Sequence, residues 1–291
     1  MKKIDLHVHT TASDGTYSGR EMLRLAAERG LSAVAVTDHD TVSGYAEAAE
    51  EGRKLGVEVV PGIEISTKYG GAVHILGYYI DTESEVLRPV LDWVVHDRDA
   101  RNRKMAEMMS ADGIPVDYDE MRARFGEVIG RPHFAEILVE LHLAESVQDA
   151  FDRYVEKGRK YWLPRSFLSI ERSIEIIAAA GGVPVLAHPF QYKRDDAGLR
   201  ELIEHCMESG LCGMECRYSG YDADMTAYLE KLADEYGLIK TGGSDFHGEN
   251  KPHIALGNGM GGELNVPYEF LTALKEKNRT HGIMRGGNAP W

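Results

Sequence analysis

Long hydrophobic runs, paired cysteines and an excess of positive charge are all missing from this 291-residue chain. No apolar stretch approaches the roughly 20 residues that a membrane-crossing helix needs. The start, Lys2-Lys3 followed by Ile4-Asp5-Leu6, lacks the apolar core of a secretory signal, so cytoplasmic residence and no membrane partner are expected. Cys206, Cys212 and Cys216 are odd in number and show no C-x-x-C spacing, which argues against a zinc knuckle, a redox pair or a disulfide framework. They read as buried reduced thiols. A net charge of −14 repels nucleic acid and anionic surfaces. No extended basic track is present for long nucleic acid, and any anionic substrate needs a local attractor.

What is present is a repeating unit in which a β-branched run leads into an amphipathic stretch that ends at Gly, and another apolar run follows. The pattern predicts helices over about 18–29, 42–55, 169–180, 198–209 and 222–236, closed by Gly30, Gly56, Gly181-Gly182, Gly210 and Gly237. Ser18 and Glu21 have the spacing of a capping box. Runs at 33–37, 57–60, 183–186, 213–216 and 238–241 read as buried parallel strands, and 4–8 and 74–80 bring the number to seven. Strands alternating with helices over this length point to an α/β fold closed into a β/α barrel, with an open doubly wound sheet as the alternative.

The unit breaks down over 97–167, where two charged stretches read as helices with no convincing strand between them. This segment is expected to be an inserted helical subdomain, a cap over the substrate, leaving 1–96 and 168–285 as the barrel and 286–291 as a loose tail. Residues 97–165 carry 12 Lys and Arg against 14 Asp and Glu, so most of the negative charge belongs to the barrel. Most of Arg98, Arg101, Arg103, Arg122 and Arg124 read as a solvated helical face.

Placed on this map, the histidines gather. His7 and His9 end the first strand, His39 follows the second, Glu64 ends the third, His188 ends the fifth, and Asp245 and His247 follow the seventh. All lie at carboxyl ends of strands, the rim where barrels of this class build their sites. His74 begins its strand instead, but Tyr69-Gly70-Gly71-Ala72 reads as a hairpin turn, so this strand runs back from the rim and His74 joins Glu64. With Asp14, six histidines and three carboxylates converge on one mouth, a set that is costly to bury without cations. His7 and His9, two apart on a strand, share one face and can chelate one ion together.

In order along the chain stand "DLHVHTTASDG", "AVTDHD", "GIEIS", "HILGY", "LAHP" and "GSDFH". These motifs resemble those of the polymerase and histidinol phosphatase (PHP) family of metal-dependent phosphoesterases. The resemblance implies a distorted seven-stranded β/α (TIM-like) barrel holding two to three divalent ions. It implies one ion on His7, His9, Glu64 and Asp245, a second on Asp14, His39 and His247, and a third on Glu64, His74 and His188, with Glu64 bridging. Mixed imidazole and carboxylate ligation suits manganese or zinc, with iron as a further option. Such ions outweigh the carboxylates and draw a phosphate to the mouth of an acidic protein, where they activate water for in-line hydrolysis of a phosphomonoester. Asp38, beside His39, is read as orienting an imidazole or as bonding the loop.

"GRPHFA" and "HPFQY" further resemble a subgroup of small bacterial phosphoesterases with a helical insert. That resemblance implies release of the 3′-phosphate from nucleoside 3′,5′-bisphosphates, with action on the 5′ ends of short oligoribonucleotides in some members. Arg131 and His133 are carried over as phosphate contacts, Arg131 for its bidentate fork and His133 as a donor or leaving-group acid. Lys160 and Arg165 are further phosphate candidates, and Tyr192 has a ring able to stack on a base. Two rivals stand beside this reading. One is a histidinol-phosphate phosphatase with the same metal set, and the other a non-catalytic metal-binding module that docks a regulatory partner.

Overall fold

The computed structural model describes residues 2–126 and 128–284, with side chains to residue 280. The proposed tail at 286–291 lies outside the described residues. In chain order the elements are β1 (Lys3–Val8), α1 (Gly19–Glu28), β2 (Leu31–Val36), α2 (Tyr45–Leu55), β3 (Glu58–Lys68), β4 (Ala72–Tyr78), α3 (Arg88–Ala111), α4 (Tyr118–Phe125), α5 (Arg131–Glu140), α6 (Val147–Ala150), α7 (Ile170–Ala179), β5 (Val183–Leu186), α8 (Asp196–Glu208), β6 (Gly213–Tyr218), α9 (Ala223–Tyr236), β7 (Ile239–Gly243) and α10 (Tyr268–Met284).

Strands β1 to β7 lie side by side in sequence order. All neighbours are parallel except β4, which runs antiparallel to both β3 and β5, as the hairpin at Tyr69–Ala72 requires. The sheet then curls until its ends meet. Val8 bridges Phe246 in parallel, and the Asp245 N–H donates to the His7 carbonyl at 2.8 Å. Asp5, fully buried, accepts the N–H groups of Ser244 (2.8 Å) and Gly257 (2.7 Å) across the same seam. Gly243 stands where a Cβ would lie 2.3 Å from the His7 backbone nitrogen, so the seam closes only over hydrogen. An open doubly wound sheet is thereby excluded, and the architecture is a nearly closed seven-stranded α/β barrel.

Local sequence explains the surrounding helices. Ser18 caps α1 in a full capping box with Glu21, and Gly56 and Gly237 close α2 and α9 in the left-handed conformation. Buried aliphatic side chains of β3, β4, α7, α8 and α9 form one cluster, and those of β1, β2, β5 and α10 another. Helix α3 begins at Arg88-Pro89, a start that favours a fixed φ, and runs 24 residues, longer than its sequence pattern suggests. From Met105 to Tyr161, α3 to α6 and the π-helical turn Phe151–Val155 build an apolar cluster of their own around Met105, Met109, Phe134 and Leu138. Among the described residues no helix is long and apolar enough to cross a membrane.

Candidate active site

Strand geometry aims the side chains. On β1, alternation sends Ile4 and Leu6 into the apolar cluster while Asp5 and His7 share the other face, and His9 follows. The ring centroids of His7 and His9 lie 5.2 Å apart, and His9 stacks at 4.1 Å on His247 from beyond β7. Glu64 sits between two groups of imidazoles. Its Oε2 faces His7 Nε2 (3.4 Å), His9 Nε2 (3.3 Å) and His39 Nδ1 (2.9 Å), while its Oε1 faces His74 Nδ1 (2.8 Å) and His188 Nε2 (2.9 Å). Asp14 approaches His247 Nε2 at 3.2 Å, and Asp245 Oδ1 approaches His9 Nε2 at the same distance. The structure thus brings all nine expected ligand side chains to one mouth. Asp40, His188 and Asp245 adopt positive φ there, a strained backbone for residues other than glycine and one that clusters at functional sites.

The donor set fits divalent cations. His7 Nε2, His9 Nε2, Asp14 Oδ1, His39 Nδ1, Glu64 Oε2 and His188 Nδ1 are buried with no hydrogen-bond partner among the described residues. Each such atom costs on the order of 1–3 kcal/mol unless something binds it. Donor atoms of His9, Asp14, His39 and His247, of His7, His9 and Asp245, and of His39, Glu64 and His74 each fall within 4.8 Å of one another. Burial would push the carboxyl of Glu64 up, but His39, His74 and His7 hold it well below its usual range. Asp14 and Asp245 are likewise held low, against burial, by His247 and His39 and by Lys251 and His247 respectively. The three carboxylates are therefore charged acceptors at neutral pH.

Several supporting groups escaped the sequence reading. Glu215, fully buried on β6, meets His7 Nδ1 at 3.0 Å and accepts the His188 N–H at 2.8 Å, which turns His7 Nε2 to the mouth. A carboxylate inside the apolar run "GMECRY" was the available signal. Tyr218 and Lys251 both donate to Asp245 Oδ2, at 2.6 and 2.7 Å, leaving Oδ1 to the histidines. Asp38 accepts Thr10 N–H (2.7 Å) and the hydroxyls of Thr10 and Ser13, so it braces the loop after β1 and reaches His9 only through Ser13.

The helical segment between β4 and β5, which begins with α3 at Arg88 and so earlier than the insert boundary expected at 97, supplies a second charged group. Arg98, read as a solvated residue, is buried, donates to Asp40 and has an unpartnered Nε. Arg101 Nε is also buried and unpartnered. Burial, with Arg165, Arg98 and Arg131 nearby, weakens the hold of Arg101 on its proton, and burial and Arg98 do the same to Arg165. Arg98, Arg101, Arg131 and Arg165 thus share one neighbourhood, in which Arg98 and Arg165 pair with Asp40 and Glu156 acts on Arg131. The solvated-face reading fails for Arg98 and Arg101 because α3 lays this face over the barrel rim. It holds for Arg103 and Arg124, which are exposed and paired with Asp119 and with Glu136 and Glu140, and the half-exposed Arg122 pairs with Asp99.

Of the expected substrate contacts, His133 is buried near the start of α5. Its Nδ1 accepts the Gly130 N–H at 2.9 Å, and burial lowers its pKa while the charge of Asp14 acts the other way. The Tyr192 hydroxyl accepts the His74 N–H (2.9 Å) and donates to the Ala187 carbonyl (2.8 Å), tying β4 to β5 behind His74 and His188. Lys160 is exposed and pairs with Asp112 at 2.6 Å, so the structure does not bring it together with the arginines.

The profile of the PHP domain family matches residues 5–209. The chain is 34% identical over 247 residues to a 5′-3′ exoribonuclease of Haemophilus influenzae, covering 84% of this chain and 90% of that protein. It is 33% identical over 250 residues to a 3′,5′-nucleoside bisphosphate phosphatase of Chromobacterium violaceum, covering 85% and 88%. The solved structure of a protein assigned as a metal-dependent phosphoesterase from Bifidobacterium adolescentis superposes with a TM-score of 0.82 at 32% identity, covering 94% of this chain and 95% of that one.

Proposed function

Because the chain belongs to the PHP domain family and is a metal-dependent phosphoesterase, we propose that it releases the 3′-phosphate of nucleoside 3′,5′-bisphosphates and also acts on the 5′ ends of short oligoribonucleotides. The observation that carries this reading is the pairing of two unlike groups: a mouth of histidines and carboxylates that fits cations, and beside it four arginines, two of which share Asp40. A phosphate at the mouth leaves the arginines to hold a second phosphate of the same molecule, which a ribose with 3′ and 5′ substituents provides. Histidinol phosphate offers one phosphate and an ammonium group that the guanidinium groups repel. The same pose puts a 3′ phosphorus at the mouth whether or not another nucleotide follows, which accommodates short chains.

Two to three divalent ions, manganese or zinc with iron as a further option, would be held by His7, His9, Glu64 and Asp245, by Asp14, His39 and His247, and by Glu64, His74 and His188. When bound, they supply activated water and counter-charge for the phosphoryl oxygens. The protein's own groups do the rest. Glu64, with one oxygen towards each set of imidazoles, fixes the spacing of the sets. Arg131 and Arg165 orient the substrate through the phosphate that stays. His133, whose Nδ1 accepts the Gly130 N–H, carries its proton on Nε2 and donates a hydrogen bond through it to the departing ribose oxygen, which takes its proton from solvent. The insert covers the bound nucleotide as a cap.

A substrate panel on the metal-loaded enzyme tests this. Phosphate release from a nucleoside 3′,5′-bisphosphate, with the nucleoside 5′-monophosphate as product, should exceed that from histidinol phosphate by at least about a hundredfold in kcat/KM, the scale set by one charge-assisted hydrogen bond in a buried site. The reverse ranking would establish the histidinol-phosphate reading. Tight metal binding without turnover of any phosphoester would establish the binding module.

A further inference from the structure

Asp40 is the point at which the barrel and the insert meet electrically. It follows His39 directly, is fully buried, and stands at φ 55°, the left-handed region. Its N–H donates to the Glu64 carbonyl at 3.0 Å, and its Oδ1 accepts the Ser66 N–H at 2.8 Å, so both its ends are tied to β3. Its Oδ2 receives Arg98 from α3 and Arg165 Nη1, at 3.4 Å, from the exit of the insert. One rigid carboxylate therefore touches the loops that carry His39 and Glu64 and also gathers two guanidinium groups from distant parts of the chain. Like charges at that separation repel, and long side chains do not share a site without an anion between them. In this structure that anion is Asp40.

We propose that Asp40 is a positioning residue: it holds Arg98 and Arg165 together at the rim so that, with Arg101 and Arg131, they receive the phosphate that is not cleaved. The inference rests on the two-phosphate reading above and adds to it the device that prepares the second site before substrate arrives. Its logic is preorganisation. Gathering Arg98 and Arg165 in advance spares the substrate the ordering of two flexible side chains. Because the anchor sits next to His39 and hydrogen-bonds β3, the arginines are also placed in register with the mouth.

The test is Asp40→Asn in the full-length, metal-loaded protein. Asn tolerates the left-handed backbone and still accepts the Ser66 N–H, so the change removes charge with little change of shape. With a nucleoside 3′,5′-bisphosphate, KM should rise on the order of tenfold while kcat stays within about twofold, as expected when a charge-assisted contact is lost from ground and transition states alike. With 4-nitrophenyl phosphate, whose single phosphate reaches the mouth alone, both constants should stay within about twofold, and elemental analysis should find the metal content unchanged. Equal losses on both substrates, or an unchanged or lower KM for the bisphosphate, would overturn the assignment. Arg98→Gln covers the case in which Asp40→Asn does not fold or does not hold metal. It should raise the bisphosphate KM alone, and adding it to Asp40→Asn, where that variant folds, should cost no more than either change by itself. Losses on both substrates, or additive effects, would count against the proposal. A wild-type enzyme with no preference for the bisphosphate over 4-nitrophenyl phosphate would sink the two-phosphate reading itself, whereas a preference that survives in Asp40→Asn would sink this inference alone.

Discussion

At the barrel mouth, His7 Nε2, His9 Nε2 and Glu64 Oε2 are buried without a hydrogen-bond partner among the described residues, in a set that suits cations; on α3, the Nε donors of Arg98 and Arg101 are buried and unpartnered in the same way, in a set that suits an anion. The two regions adjoin, since Arg98 pairs with Asp40, the neighbour of His39. They are built differently. The acceptors project from strand ends pinned by hydrogen bonds on both sides, whereas the arginines come from one long helix, a helix start and a loop. Under the function proposed above, the contrast amounts to a division of labour: the barrel fixes the atoms that do chemistry, and the insert supplies the charge that selects what is brought to them. Replacing a residue on each side separates the two roles.

His9→Ala should have the largest effect. His9 faces both Asp245 and Glu64 and belongs to two of the three donor groups, so its loss removes a shared corner. Metal content and phosphatase activity should fall together, with kcat/KM down by on the order of a thousandfold, as expected when several kcal/mol of charge stabilisation are lost. Elemental analysis beside a phosphate-release assay checks this; full activity with full metal would dissolve the distinction between the regions. Arg101→Ala comes next and should break along the other line. KM for a bisphosphate should rise about tenfold, with metal content and turnover of 4-nitrophenyl phosphate unchanged. If Arg101→Ala also lost metal, the insert would be part of the metal centre and the comparison would fail.

The same contrast governs what could be read from the sequence. Short apolar runs between helices punctuated by glycine marked β1 to β7 and the side of the barrel on which His7, His39, Glu64 and His188 emerge. Even the reversed β4 was readable, because Gly70-Gly71 marks a turn and His74 would otherwise lie at the wrong end. Arg98 and Arg101 were not readable. Charged residues on a helix are solvated by default, and periodicity shows that a face exists without showing what covers it; only α3 lying against Asp40 makes that face an inside. Glu215 lay between these cases, an acid in an apolar strand whose partner, His7, is 208 positions away. Pairing across such a distance is a property of the closed barrel, not of any segment.

A third site, remote from both regions, sharpens the comparison by touching neither. Ser18 accepts the Glu21 N–H at 3.3 Å, and Glu21 returns a carboxylate oxygen to the Ser18 N–H at 2.9 Å, closing the box at the start of α1. Ser18→Ala should cost about 1 kcal/mol, the usual loss for an N-cap, which for a chain of this size lowers Tm by roughly 2 °C. The backbone hydrogen bond from Ser18 holds the Glu21 carboxyl below its usual range, so its folded pKa lies below its unfolded one. Stability from this contact is therefore fully present above the ordinary Glu value near 4.5 and lost as pH falls through the lower, folded value. Thermal unfolding of Ser18→Ala should show this small gap to wild type at pH 7, whereas Glu21→Gln, which removes the carboxylate, should fall slightly below wild type at pH 7 and converge with it towards pH 3, while metal content and both substrate assays stay unchanged in either variant. A Glu21→Gln variant whose Tm gap to wild type is as wide at pH 3 as at pH 7 would show that the carboxylate half of the box contributes nothing. One that lost metal or bisphosphate selectivity would show that the rim is not insulated from the helices that surround it.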